Sequence, residues 1–101
     1  MIIEKSIRGT TEVIQLQGRF DHASSQKFHN AIRGIGDEKS TSQINVDLGA
    51  VDYIDSSACG MLLFLRNKAS ESGKTVVLEN AKGVVKNVLD VMQFAKLFTI
   101  M

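Results

Sequence analysis

Proline is absent from these 101 residues, and cysteine occurs once. With Cys59 alone, no intrachain disulfide can form. No repeat, low-complexity tract or linker-like stretch interrupts the chain, so its length predicts one domain over residues 1–101. A charged leader followed by an apolar signal segment is missing. No apolar run approaches the roughly 20 residues that a membrane span requires. These absences predict a cytoplasmic protein with no membrane partner. An excess of one charge is also lacking: 12 basic and 11 acidic residues are interspersed, for a net +1. That balance argues against a nucleic-acid or acidic-membrane partner. No Walker loop or nucleophile elbow is present. His22 and His29 lack a third ligand at metal-binding spacing, so neither metal nor cofactor is expected. Asp52 and Asp55 are three apart, but Asp52 is read as a loop residue and the two make no acid–base pair.

What is present is ordinary for a globular protein: 44% apolar and 23% charged residues. That suffices for one core without staples. "EVIQLQG" alternates, with Ile14 and Leu16 facing one way, which predicts a half-buried strand. "MIIEKSI" before it predicts a second strand joined by a hairpin through "RGTT". "QINVDLG" alternates on Ile44, Val46 and Leu48, "KTVVLEN" has the β-branched content of another strand, and "KLFTI" predicts a short last one. Between them lie helical patterns. Phe28, Ala31, Ile32 and Ile35 sit at helix spacing, ahead of a loop, "GDEKSTSQ", read as solvated. A long helix runs from Ser56 to about Ser72 and stops at Gly73. A third, Lys82 to about Met92, sets Val84, Val85, Val88, Leu89 and Met92 on one face. Strands separated by helices imply parallel pairing. The expected fold is α/β: a mixed, mostly parallel sheet of four to five strands with about three helices on one face.

The stretch "VDYIDSSACGMLLFLRNK" carries more than such a fold needs. At about 100° per residue, Ala58, Met61, Leu62, Leu65 and Ala69 form the core stripe of the long helix. Ser56, Gly60, Leu63 and Asn67 form a second line on the opposite side, with Phe64 also turned outward. Exposed apolar side chains in a row mark a contact surface; burial of Leu63 and Phe64 by another part of this chain is the other reading. Asp55 and Ser56 both suit the N-cap, and one cap is enough. If Asp55 serves, the hydroxyl of Ser56 stands free at the helix mouth. Phosphorylation there adds about −1.5 to −2 charges. The helix end tolerates a phosphate, but a partner that must desolvate a dianion against Leu63 and Phe64, beside Asp55, does not. Cys59 is read as an inert, half-buried thiol. A nucleophilic role for Cys59 or Ser56 lacks a base at any recognisable spacing.

"VDYIDSSACGMLLFLRN" resembles the signature of STAS domains, in particular the anti-sigma factor antagonists of bacterial partner-switching systems. "QLQGRFDHASSQKF" is similar to the family's Gly-x-Leu/Phe-Asp turn and following helix, and "GKTVVLENAKGVVKNVLDVMQFAKLFTI" to its later strand, helix and closing segment. The resemblance implies a non-enzymatic, STAS-like module whose phosphorylated serine is Ser56, with Ser57 as the secondary candidate. It implies a partner-binding surface of Asp21, Asp55, Ser56, Ser57, Gly60, Leu63, Phe64 and Asn67. The implied partners are a serine kinase that doubles as an anti-sigma factor or signalling protein, and a PP2C-like phosphatase, free or carried on a response regulator. Ala58 stands where many relatives have glycine. Many relatives also carry a further helix after the position of Met101, and its lack here would leave sheet for a homodimer or partner to cover. The Ala-Cys-Gly-Met run is similar to single-domain versions found beside response-regulator phosphatases in Gram-negative bacteria. A constitutive STAS subunit of a transporter or scaffold complex is the alternative.

Overall fold

The computed structural model describes residues 1–101. Alternation becomes structure first in β2 (Thr11–Phe20), where Ile14, Leu16 and Phe20 are fully buried while Gln15 and Gln17 are exposed. A tight turn joins it to β1 (Ile2–Arg8), which pairs antiparallel. A 3₁₀ turn (His22–Ser24) and α1 (Ser25–Ile32) then lead to β3 (Gln43–Ile54), which pairs parallel with β2. The helix α2 (Ser56–Glu71) leads to β4 (Thr75–Glu79), and α3 (Gly83–Val91) with a second 3₁₀ turn (Phe94–Lys96) leads to β5 (Thr99–Ile100). Strand order follows the sequence, β1-β2-β3-β4-β5, and only the first pair is antiparallel. This is the expected mixed, mostly parallel sheet with three α-helices, at the upper end of the expected strand count.

All three helices bury side chains in one core cluster with the sheet: Phe28 and Ile32 from α1, Met61, Leu62 and Leu65 from α2, Val85 and Leu89 from α3. Burial of each such large side chain stabilises by about 1.5–3 kcal/mol. Within this cluster Phe20 and Phe28 pack with ring centroids 5.1 Å apart.

The structure corrects several boundaries. β3 is longer than "QINVDLG" suggests and runs on through "AVDYI", so Asp52 lies in a strand. Ile35 is buried, but beyond the end of α1, after Gly34 with φ +79°. Val84 and Met92 are exposed, which leaves Val85, Leu89 and part of Val88 as the packed face of α3.

The loop read as solvated is anchored at its centre. Lys74 is only 6% exposed. Its ammonium donates to the carbonyls of Ile35 and Glu38 and to Thr41 Oγ1 (2.8 Å), with a Glu12 carboxylate oxygen 3.5 Å away. A buried ammonium is tolerable only when its donors are matched in this way. Glu38 is held below the usual carboxylate range by the backbone and side-chain bonds of Ser40. Lys74 is delivered by the end of α2: Gly73 takes φ +72°, Gly73 N–H donates to Ser70 O (3.0 Å) and Lys74 N–H to Ala69 O (2.9 Å). This pair of bonds is the left-handed glycine stop that closes many helices.

Candidate functional site

Because β2, β3 and β4 are mutually parallel, their C-terminal ends lie at one end of the sheet. Phe20 and Ile54 are register partners there, which sets Asp21 and Asp55 side by side in the chain paths that leave the two strands. The backbone of Asp55 is extended (φ −115°, ψ −177°), as an N-cap requires. One of its carboxylate oxygens accepts from Ala58 N–H at 2.9 Å and caps α2. The other accepts from His22 N–H at 3.1 Å. A single side chain therefore holds both the long helix and the 3₁₀ turn. An aspartate can do this because it offers two acceptor oxygens, whereas a serine offers one hydroxyl.

The cap is thus made by Asp55 alone. Ser56 is exposed, and its hydroxyl has no hydrogen-bond partner within the protein. Ser57 is half-buried. Along the same side of α2, Gly60 and Asn67 are exposed, and Phe64 is 45% exposed with its ring edge-on to His29 at 5.0 Å. A Cβ added at Gly60 would meet nothing within 4 Å.

Two residues on this helix sit deeper than the simple wheel indicates. Leu63 is half-buried against the core, and Cys59 is fully buried. The core wraps further around one flank of α2 than a single stripe, so the apolar part of the exposed line is Phe64. Burial pushes the Cys59 thiol up, and the nearby Asp55 carboxylate adds to the shift. A thiolate nucleophile is disfavoured there.

Asp21 is brought to the site, but its carboxylate faces its own turn. Arg19 Nε donates to it at 3.3 Å and Ser24 Oγ lies 3.2 Å away. Partial desolvation raises its pKa, but these bonds and the Arg19 charge outweigh it, and the group lies below the usual carboxylate range. Arg19 is itself stacked over Tyr53, 4.0 Å from guanidinium carbon to ring centroid, on the adjacent strand. Sequence reasoning missed this Arg19–Tyr53 pair and the His29–Phe64 contact. Each depends on neighbours far apart in the chain, and "GRFD" and "VDYID" carry no local sign of the pairing. No helix is long and apolar enough to cross a membrane, and no cluster of three or more metal-ligating side chains is present.

Comparison with known proteins matches this architecture. A family model described as "Mlab, STAS domain" matches residues 3–99. A STAS-domain containing protein of Pseudomonas aeruginosa (strain UCBPP-PA14) is 37% identical over 95 residues, 94% of this chain and 92% of that protein. An anti-sigma factor antagonist from Mycobacterium paratuberculosis superposes with TM-score 0.81 at 20% identity, covering 98% of this chain and 83% of that one. The Bacillus cell fate determinant SpoIIAA in its phosphorylated form gives 0.74 at 17%, covering 99% and 91%. A sulfate transporter family protein from Wolinella succinogenes gives 0.73 at 16%, covering 91% and 74%. At such identities the structures show a common fold and no common role. The family model spans nearly the entire chain and the P. aeruginosa relative is matched almost end to end, so this chain belongs to the STAS-domain family.

Proposed function

We propose that this protein is a phosphorylation-switched binding module of the anti-sigma factor antagonist type. It acts by docking, not by catalysis. Unmodified, it engages a serine kinase that is also an anti-sigma factor or signalling protein. The surface it uses is the mouth and exposed side of α2: Ser56, Ser57, Gly60, Phe64 and Asn67, with Leu63 behind them and Asp55 and Asp21 at the rim. Phosphorylation of Ser56 releases it, and a PP2C-like phosphatase restores it. The observation that carries this reading is the division of labour at the helix start. Asp55 supplies the cap and leaves the Ser56 hydroxyl exposed and unbonded. A phosphate there joins two existing carboxylates, Asp55 and the ionised Asp21, and sets a dianion beside Phe64. Desolvating that charge against a partner is costly, while the fold itself is undisturbed. Such signalling takes place in the cytoplasm.

The test is incubation with the serine kinase encoded beside its gene and ATP, read by intact mass and by co-elution. One phosphate is expected on the wild type and none on Ser56→Ala, and Ser56→Asp is expected to lose the complex. Phosphate on Ser56→Ala overturns the site. The fold shared with a sulfate transporter family protein favours a second reading, a constitutive subunit of a transport complex. Under that reading Ser56→Asp keeps its partner.

A further inference from the structure

The C-terminal half of α2 borders an open cavity of about 360 Å³, flanked by the start of β4, the second 3₁₀ turn and β5. Its lining has an unusual charge balance. Three cations reach it, Arg66, Lys74 and Lys96, together with the hydroxyl residues Ser70, Thr75 and Thr99, and no carboxylate lines it. Lys74 is spoken for, since its ammonium is turned to Glu12, Thr41 and two loop carbonyls. Arg66 and Lys96 are not. No ion pair joins either to an acid. Glu71, the acid nearest in sequence to this stretch of α2, lines a different cavity.

Arg66 is also held in place. Its Nε donates to the carbonyl of Leu97 at 2.7 Å, which ties the side chain of α2 to the turn before β5. That bond uses one donor and leaves the two terminal nitrogens, four N–H groups in a fixed plane, without a protein acceptor. A fixed guanidinium fork matches two oxygens of a phosphate or carboxylate, and a neighbouring ammonium supplies a point charge. Hydroxyls then satisfy the remaining lone pairs. A phosphate group has enough oxygens to engage the fork, the ammonium and a hydroxyl at once, which a carboxylate does not.

We propose that this cavity binds a phosphate monoester, with Arg66 and Lys96 as the charged contacts and Ser70 and Thr99 as hydroxyl partners. Ser56 and Arg66 are ten residues apart on one helix, about 15 Å along its axis. The cavity is therefore separate from the Ser56 end and does not depend on the function proposed for it.

The test is a titration of the ¹⁵N-labelled full chain with inorganic phosphate and with glycerol 3-phosphate, against chloride at equal ionic strength. A parallel arm sediments the protein with phosphatidic acid vesicles, which present the same monoester on a lipid. Saturable shifts confined to residues 66–76 and 95–100 are expected. Binding should weaken roughly tenfold or more in Lys96→Met, which loses one hydrogen bond to a charged group, and by more in Arg66→Met, which loses both bonds of the fork. Lys96 is exposed and holds no other element, so Lys96→Met remains informative if Arg66→Met fails to fold. Ser56→Asp should bind as the wild type does. Shifts with free phosphates identify a soluble ligand, and sedimentation alone identifies a lipid headgroup. Shifts that match chloride, spread over the surface or persist in Lys96→Met, with no sedimentation, overturn the proposal.

Discussion

Replacing Asp55 by alanine tests the helix start directly. The substitution removes the acceptor of Ala58 N–H and that of His22 N–H together. Loss of an N-cap costs about 1 kcal/mol. A hydrogen bond to a charged acceptor is worth about 1.5–3 kcal/mol, and the lower end applies because Asp55 is half exposed. The expected loss is about 2–3 kcal/mol, against a total near 5–15 kcal/mol for a domain of this size. At about 4–8 °C per kcal/mol, Tm should fall by roughly 10–20 °C. Asp55→Asn keeps one acceptor oxygen and should fall between. Ser56→Ala removes a hydroxyl with no partner and should move stability by no more than about 0.5 kcal/mol. Urea denaturation followed by circular dichroism, with thermal melts in parallel, ranks the three. If Ser56→Ala proves as damaging as Asp55→Ala, the serine is the working cap. The free hydroxyl on which the switch depends then does not exist.

Two further outcomes follow from the interior. Lys74→Met should cost about 3 kcal/mol, since it strips Glu12, Thr41 and two carbonyls of a buried partner; a urea midpoint equal to the wild type refutes that role. Cys59 has its pKa raised by burial and by Asp55. The folded state therefore keeps its proton where the unfolded chain loses it. The corresponding stability is complete below about pH 9, the unfolded value, and declines as pH rises through the higher folded value. Iodoacetamide should label the native protein slowly at pH 8 and the urea-unfolded protein fast, and equal rates refute the buried placement.

Much of this was legible because it is written in short-range pattern. Period-two alternation located β2 and the first half of β3, and the stripe Ala58–Met61–Leu62–Leu65–Ala69 is the buried side of α2. Two adjacent polar residues before that stripe already posed the question of which one caps. What stayed hidden depends on pairing across the chain. "AVDYI" reads as a loop until β2 lies beside it and Arg19 meets Tyr53. Lys74 looks like any strand-end lysine, because its partners are 33 to 62 residues away. Leu63 and Cys59 sit deeper than a helical wheel places them, because a wheel knows one packing direction and here the core reaches α2 from a second flank. Ile35 has the right spacing for α1 but packs from outside it, since Gly34 turns the chain first.

Gly60 has a consequence of its own. Glycine inside a helix is less favourable than alanine by about 1 kcal/mol, and here there is ample room for the methyl group. The vacancy between Ser56 and Phe64 makes a shallow notch in which bare peptide is on show. Whatever seats itself there can press against main chain, whose shape is indifferent to drift in the surrounding surface residues. The same notch would be filled by the simplest stabilising substitution available to an engineer, which sets the stability of this helix against the closeness of fit along its outer edge.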